Sequence, residues 1–432
     1  MCLLHVLQEL ASDWDLRLAV LHLNHRLRGK ESDEDAEFVR RQAEQCNLPF
    51  HVREWKPGRS IGRDNLEQAA RNARLAFFHE MIDSGVVNSV AVGHTRSDQA
   101  ETVLFRFLRG SGTAGLAAIR PVTPGGVVRP LLEIERDEVE RFLRERGIPW
   151  REDSTNTSPQ FARNRIRHDL LPQLASHWNP RIRETLAHTA DWAQAEEAYW
   201  TAEIGRLAAT RLLERDGAVF VRVDGLVDLP LAAGRRLVRH AIERAKNDTR
   251  GVDFHHIAAV LAMAGTLQGS GRVQIPGLDV LRSFGWLRFA QPGKDAVEKR
   301  NYQVPAAVPG TVRIPGTGIV IRLELIEKSE TSEVSDCVYN NEMGCIDWRG
   351  LSGSLELRNW RPGDQYQPVG SAGQEKIKTL FQQARIPIWE RGLWPILIDG
   401  ACIVWTRRFG AAAGLVANSG TKVILKVREG AS

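Results

Sequence analysis

The chain has 432 residues, 43% hydrophobic and 26% charged, the balance of a soluble globular protein too long for one ordinary core, so two or three domains are expected. No apolar run approaches the ~20 residues of a membrane span, and the N-terminus lacks a basic-then-apolar signal layout, so the expected location is cytoplasmic. The five cysteines form no CxxC pair, which argues against a zinc knuckle or iron–sulfur centre, while a net charge of +5 permits a polyanionic partner.

Residues 2–10 read as a short amphipathic helix with Leu3, Val6, Leu7 and Leu10 on one side. A strand at 16–23 ends in Asn24-His25-Arg26-Leu27-Arg28, and Ser32 with Asp35 has capping-box spacing for a helix over 33–45. Residues 49–55 are strand-like, 58–64 are turn-rich, and 65–84 form a helix carrying Arg71 and Arg74. The Val-rich run 86–93 reads as a buried parallel strand. It stops at His94, and after Thr95-Arg96-Ser97 a helix opens at Asp98, with Glu101 completing a capping box. Ala100, Val103, Leu104, Phe107 and Leu108 share the face expected to meet the core. Asp98 and Glu101 take the opposite side, beside His94. Parallel sheets keep their ligands beyond the carboxyl ends of the strands, where this cluster falls. A capping pair with no further role fits the same spacing.

Residues 115–129 read as a loop, 136–146 as a charged helix, and Asp153-Ser154-Thr155-Asn156 as a turn cluster. A helical pattern runs over 179–213, with Trp192 and Trp200 on one face. Strands alternating with helices imply an α/β domain over 1–195, built on a doubly wound parallel sheet. Residues 196–292, with helical spacing at 231–246 and 254–264 and a short β segment at 272–290, read as a mainly helical middle domain. Residues 293–432 read as a small α+β domain, with strands at 318–326 and 402–406 and a helix at 376–384.

Several of these blocks carry a resemblance. His94, Asp98-Gln99, Glu101-Thr102 and then Arg109-Gly110-Ser111-Gly112 resemble the signature of the tRNA(Ile)-lysidine synthetases, a branch of the N-type ATP pyrophosphatases. The segment from Leu21 to Arg28 with Ser32 and Asp35, the Ala70-Arg71-Asn72-Ala73-Arg74 helix, Arg129-Pro130-Leu131-Leu132, and Asp153 to Asn156 with Arg163-Asn164 and Arg167 follow in the family's order. Near the far end, Arg358-Asn359-Trp360-Arg361-Pro362-Gly363-Asp364, Lys376-Ile377-Lys378 and Arg385-Ile386-Pro387 resemble the family's C-terminal domain. One family feature is not in the sequence: S-G-G-x-D-S, a loop whose backbone N–H groups cradle the pyrophosphate of ATP. Met1-Cys2-Leu3-Leu4-His5 resembles the helix that follows that loop. The expectation is therefore a start misassigned at an internal methionine, or a truncated gene. The first, central strand of the sheet would be missing, and the chain as written would be inactive and poorly stable.

The resemblance implies that ATP adenylates the C2 oxygen of the wobble cytidine in a CAU-anticodon isoleucine tRNA, and that free lysine then displaces AMP. It implies Mg2+ alongside ATP, with no dedicated metal ligands in the chain. Asp98 and Glu101 would hold the lysine ammonium and take its proton, with His94 and Arg163 beside them. His25, Arg28, Arg71, Arg74, Arg109 and Gly110 would lie on the ATP side. Asn164, Arg167, Arg358, Arg361, Lys376, Lys378 and Arg385 would face tRNA, the last five beside Trp360, Tyr366 and Phe381. Read without the resemblance, Arg163 and Arg167 are equally a solvated helix face paired with Asp169, and Gly110 a plain helix C-cap. Two other readings stay open: a tRNA cytidine thiolase, for which Cys2 and Cys46 offer no cysteine pair, and a non-catalytic tRNA-binding relative. A homodimer is also left open.

Overall fold

The computed structural model describes residues 1–56, 66–151, 162–266, 269–293, 301–327 and 344–431. The expected turns at 58–64 and at Asp153-Ser154-Thr155-Asn156, and Cys337, lie outside the described residues. The chain divides into two compact units, Met1–Ala202 and Glu203–Ser432.

The first unit runs α1 (Cys2–Leu10), β1 (Val20–Asn24), α2 (Lys30–Gln45), β2 (Phe50–Glu54), α3 (Leu66–Asp83), β3 (Val90–Ala91), α4 (Arg96–Leu108), α5 (Thr113–Leu116), β4 (Val127–Val128), α6 (Arg136–Glu145), α7 (Ala162–Arg165), a π-turn (Ile166–Leu170), α8 (Leu171–His177) and α9 (Ile182–Arg211). This is an α/β alternation. Strand β1 pairs in parallel with β2 across α2, and β3 pairs in parallel with β4 across α4 and α5. Parallel pairing needs such a helical crossover. Among the described residues the two pairs form separate two-stranded sheets. They share one apolar cluster, in which Phe77, Phe78 and Met81 of α3 pack against Leu23, Val90 and Val127.

Two helix starts differ from the sequence expectation. Helix α2 begins at Lys30 because Gly29, at φ 57°, turns the chain into it early. The Ser32 hydroxyl instead accepts from the Arg28 backbone N–H (3.2 Å), and Asp35 binds the Arg28 guanidinium. Helix α4 is capped by Thr95, which makes Asp98 its third residue and the partner in the capping box. The segment expected to loop from 115 holds β4, which closes a ladder on β3 through Val90 N–H to Gly126 O (3.0 Å) and Val92 N–H to Val128 O (2.9 Å).

In the second unit, β5 (Leu212–Arg215), β6 (Ala218–Arg222), α10 (Asp224–Val227), α11 (Leu231–Lys246), α12 (Phe254–Gly265), β7 (Ser270–Ile275), β8 (Leu278–Ser283) and β9 (Trp286–Ala290) build a five-stranded antiparallel sheet in the order β5-β6-β9-β8-β7. The buried side of α11 (Leu237, Val238, Ala241, Ile242) packs with the sheet's Val221, Val280 and Phe289 at its core. The two expected helices are there, but so is more sheet than the sequence reading foresaw. The Asp216-Gly217 turn, both residues at positive φ, closes the β5–β6 hairpin. It carries the usual Asp-Gly hairpin signature.

The remainder comprises β10 (Gln303–Pro305), β11 (Gly310–Arg313), β12 (Ile319–Glu327), β13 (Gly344–Asp347), β14 (Leu355–Asn359), β15 (Gln365–Tyr366), β16 (Glu375–Lys376), α13 (Ile377–Gln383), α14 (Ile388–Arg391), β17 (Pro395–Asp399), β18 (Cys402–Thr406), β19 (Gly410–Ala411) and β20 (Val423–Ala431). Sheets β10-β14-β17-β18-β19 and β11-β12-β20-β13 face each other across Leu357, Leu397, Trp405, Ile321, Leu323 and Val427. Among the described residues no helix is long and apolar enough to cross a membrane.

Candidate active site

The site is built on the first turn of α4. The Thr95 backbone N–H and hydroxyl both donate to Asp98 Oδ2, at 2.9 Å each, so the cap fixes that carboxylate's orientation. Its other oxygen, Oδ1, accepts from Arg136 Nη2 at 3.1 Å and from Arg167 Nη2 at 3.4 Å. One turn on, Glu101 is 1% exposed. Arg167 grips it bidentately, Nε to Oε1 at 2.6 Å and Nη2 to Oε2 at 2.9 Å. Arg163 Nη2 donates to the Thr102 hydroxyl at 2.5 Å, and its Nε lies 3.8 Å from Glu101 Oε2. The local backbone explains the aim of Arg167. It lies in the π-turn between α7 and α8, just before Pro172, which lacks the N–H a regular helix would use. Such turns recur at functional sites.

Burial would push the Asp98 carboxyl up, but the Thr95 backbone bond and the Arg136 guanidinium outweigh it and hold the group below its ordinary value. His94 goes the other way for a base. Burial, with Arg129, Arg71 and Arg163 nearby, lowers it to about 4 in spite of Asp98. Arg129 Nε donates to His94 Nδ1 at 3.3 Å, so the neutral ring keeps its proton on Nε2. Burial also lowers Arg129 and Arg106, and Arg71 repels both. Guanidiniums thus crowd around His94, while Arg136, Arg163 and Arg167 converge on the two carboxylates. Desolvated cations in such numbers are arranged for an anion with several charges.

The structure brings together His94, Asp98, Glu101, Arg163 and Arg167, with Arg71 of α3 close enough to act on His94. Arg74 meets His25 instead, Nη2 to Nε2 at 2.9 Å. Burial first, then Arg74, lowers His25 to about 4. Arg28 is paired with Glu31 (2.8 Å) and Asp35 (2.7 Å). Arg109 stacks over the Phe105 ring at 4.5 Å, a full helix away from the carboxylates, and Gly110, at φ 74°, serves as the helix stop. Asn164 is buried. Two residues were given no role from the sequence: Arg129, although its motif was quoted, and Arg136. Arg136 did carry a signal. A cation at the first position of a helix opposes the macrodipole unless a carboxylate holds it there.

At the other end of the chain the expected tRNA set needs correcting. Arg358 is 8% exposed, with its guanidinium on Asp364 at 2.8 and 2.9 Å and on the Asn359 carbonyl at 2.9 Å, so it belongs to the interior. Tyr366 and Phe381 are buried and Trp360 packs edge-on against Phe381 (5.1 Å), so these aromatics form a core rather than a stacking surface. Arg361 reaches Gln303 at 2.9 Å, while Lys376, Lys378 and Arg385 are exposed. Cys345 is buried. Among the described residues no cluster of His, Cys, Asp or Glu could hold a metal ion, and both site carboxylates already carry arginines. The residues present do not fit a resident magnesium ion.

The chain matches known proteins along most of its length. The family profile described as "PP-loop domain" matches residues 1–174, and "TilS substrate C-terminal domain" matches residues 355–427. The tRNA(Ile)-lysidine synthase of Solibacter usitatus is 60% identical over 428 residues, covering 99% of this chain and 95% of the relative. The enzyme of the same name from Symbiobacterium thermophilum is 37% identical, covering 96% of this chain and 89% of the relative. A crystal structure of the TilS C-terminal domain is 27% identical, covering 31% of this chain and 98% of the other; its TM-score of 0.27 is too low to carry an argument. These matches do not support the expected N-terminal truncation, since the PP-loop match runs from residue 1 to residue 174. Nor do they support the expected inactivity.

Proposed function

The chain belongs to the tRNA(Ile)-lysidine synthase family, and from that premise we propose that it joins free lysine to the wobble cytidine of a CAU-anticodon isoleucine tRNA, with ATP as the activating substrate. The observation that carries this reading is the buried Asp98–Glu101 pair bridged by Arg167 and ringed by further guanidiniums. A phosphate-bearing substrate and a substrate amine need that combination side by side. ATP converts the cytidine's C2 oxygen into a good leaving group. The chain's own residues do the rest. Arg71, Arg129 and Arg163 gather phosphate charge around His94, whose neutral ring offers its Nε2 proton as one more hydrogen bond.

Lysine arrives as an ammonium with an ordinary pKa near 10.4 and must shed a proton before it can attack. In this state Arg167 fills the place that ammonium needs. Lysine therefore enters by exchange, its amine taking over Glu101 as Arg167 turns away toward the phosphates. Glu101 is the base, because the departure of Arg167 removes both hydrogen bonds it accepts and leaves only Arg163, 3.8 Å away. Asp98 is the anchor, because Thr95 and Arg136 remain on it throughout. In the C-terminal segment, Arg361, Lys376, Lys378 and Arg385 hold the tRNA backbone, and this binding weakens with salt. The domains we propose are 1–195, 196–292 and 293–432.

The test uses the full chain with CAU isoleucine tRNA, ATP and labelled lysine. Incorporation and pyrophosphate release depend on both lysine and tRNA. Asp98→Asn lowers incorporation by roughly 10²-fold or more while the tRNA Kd stays within about twofold. A wild-type chain that binds tRNA but never incorporates lysine would overturn the catalytic reading.

A further inference from the structure

Helix α4 ends in an unexpected way. Phe107 and Leu108, placed on the core face by their spacing, are 63% and 59% exposed. Beside them, α4, α7 and the π-turn enclose a recess of about 430 Å3, within the ~300–1,000 Å3 range of small-ligand sites. Its floor is Phe105, Ile166 and Leu170, and its rim carries Arg165, Asp169 and Gln173. Arg109 extends the floor, its guanidinium stacked on the Phe105 ring. The recess opens at the end of α4 away from Asp98 and backs onto the catalytic cluster: Phe105 lies one turn beyond Glu101, and Arg165 and Ile166 lie between Arg163 and Arg167.

We propose that this recess is a second RNA contact, taking one unstacked nucleotide of the tRNA loop a few positions from the reacting cytidine. The proposal rests on the tRNA substrate argued above and adds where a neighbouring nucleotide sits. Each wall has a counterpart in the ligand. The base face lies on the guanidinium–phenyl platform of Arg109 and Phe105, as unpaired bases lie on arginine and aromatic planes. The adjoining phosphate meets Arg165. The base edge meets Asp169 and Gln173. An ionised carboxylate only accepts hydrogen bonds, so Asp169 selects a base with an amino group or ring N–H at that edge. An apolar floor extended by one guanidinium, under a rim that carries a cation, a carboxylate and an amide, suits a nucleotide better than an apolar peptide face, which would leave the polar rim unused, or a free phosphate, which would leave the floor uncovered.

The experiment uses the full chain and an intact CAU isoleucine tRNA transcript. A photoreactive benzophenone residue replaces Leu108, and the crosslinked nucleotide is mapped by primer-extension stops. Phe105→Leu, which keeps an apolar side chain in place, and Arg165→Ala are assayed alongside, with melting midpoints to verify folding. The expected result is a crosslink to one loop nucleotide. The KM for tRNA should rise about fivefold or more in Phe105→Leu, from the ~1–3 kcal/mol of a lost stack, with the KM for lysine unmoved. Arg165→Ala should reduce the salt dependence of tRNA binding by about one phosphate contact. Crosslinks confined to protein, or variants that bind tRNA as the wild type does, overturn the proposal and leave the lysine-joining reading standing. A wild-type chain that does not bind tRNA overturns both.

Discussion

Each unit buries an arginine on a carboxylate, and the two pairs do different work. In the second unit Arg358 meets Asp364 bidentately, and the remaining bonds close on the pair's own neighbourhood. Asp364 accepts from the Arg361 backbone N–H (2.6 Å), its own N–H returns to Arg361 O (3.1 Å), and Arg358 also holds Asn359 O. Gly363, at φ 100°, makes that turn possible. Charge and hydrogen bonds balance, so the pair staples a turn to β14. In the first unit Arg167 meets Glu101 with equal closeness, but Arg136 and Arg163 stand on the same two carboxylates, and Arg129 and Arg71 act on His94 beside them. That pair is closed and its surroundings are not. A buried ion pair is therefore read by the charge left over around it, not by its distances.

The sharpest way to break this contrast is to remove one partner of the pair in each unit. Glu101→Gln should lower lysine incorporation by roughly 10²–10⁴-fold, measured with labelled lysine at saturating tRNA. If incorporation survives, Glu101 is not the base. Arg358→Ala should instead cost up to about 3 kcal/mol of stability by leaving the half-buried Asp364 without its guanidinium, read as a shifted urea midpoint. An unchanged midpoint would undo its assignment to the interior. Arg167→Ala sharpens the comparison further. If lysine and Arg167 compete for Glu101, saturating lysine should raise the variant's melting midpoint more than the wild type's, by up to about 3 kcal/mol at a hundredfold excess over Kd. A smaller lysine shift in the variant would mean that Arg167 helps bind lysine rather than yielding to it.

The smallest effect concerns pH. His94 and His25 are both lowered from 6.5 to about 4. Between those values the unfolded chain takes up protons that the folded chain refuses, so stability is full above about 6.5 and falls as pH drops toward 4. Asp98, held below its ordinary value, adds a loss in the same direction at still lower pH. The first unit's melting midpoint should therefore fall between pH 7 and pH 4.5. NMR should show neither ring titrating between pH 5.5 and 8, and a midpoint near 6.5 for His94 would contradict its burial beside Arg129.

Much of the fold could be read from local pattern. The α/β alternation of the first unit, helices at 136–145, 231–246 and 254–265, and the strand Cys402–Thr406 stand close to where periodicity placed them, because each needs only its own residues to choose a face. The cluster of His94, Asp98 and Glu101 was also legible, since strand, cap and helix follow one another within a dozen residues. What failed depended on distant partners. Phe107 and Leu108 repeat like core residues yet are largely exposed, because nothing in a helix's spacing says where its neighbours end. Arg358 looks like its exposed basic neighbours in the sequence and is buried by a turn six residues away. Arg136 was missed because its carboxylate lies 38 residues earlier.

The sequence by itself determined the family, the order of the elements and the acidic pair, because these are written in contiguous blocks. The tertiary structure decided which arginines gather at the acidic pair and which pair elsewhere. A guanidinium takes its role from the charges that surround it in space, and those arrive from α3, α4, α6, α7 and the π-turn at once.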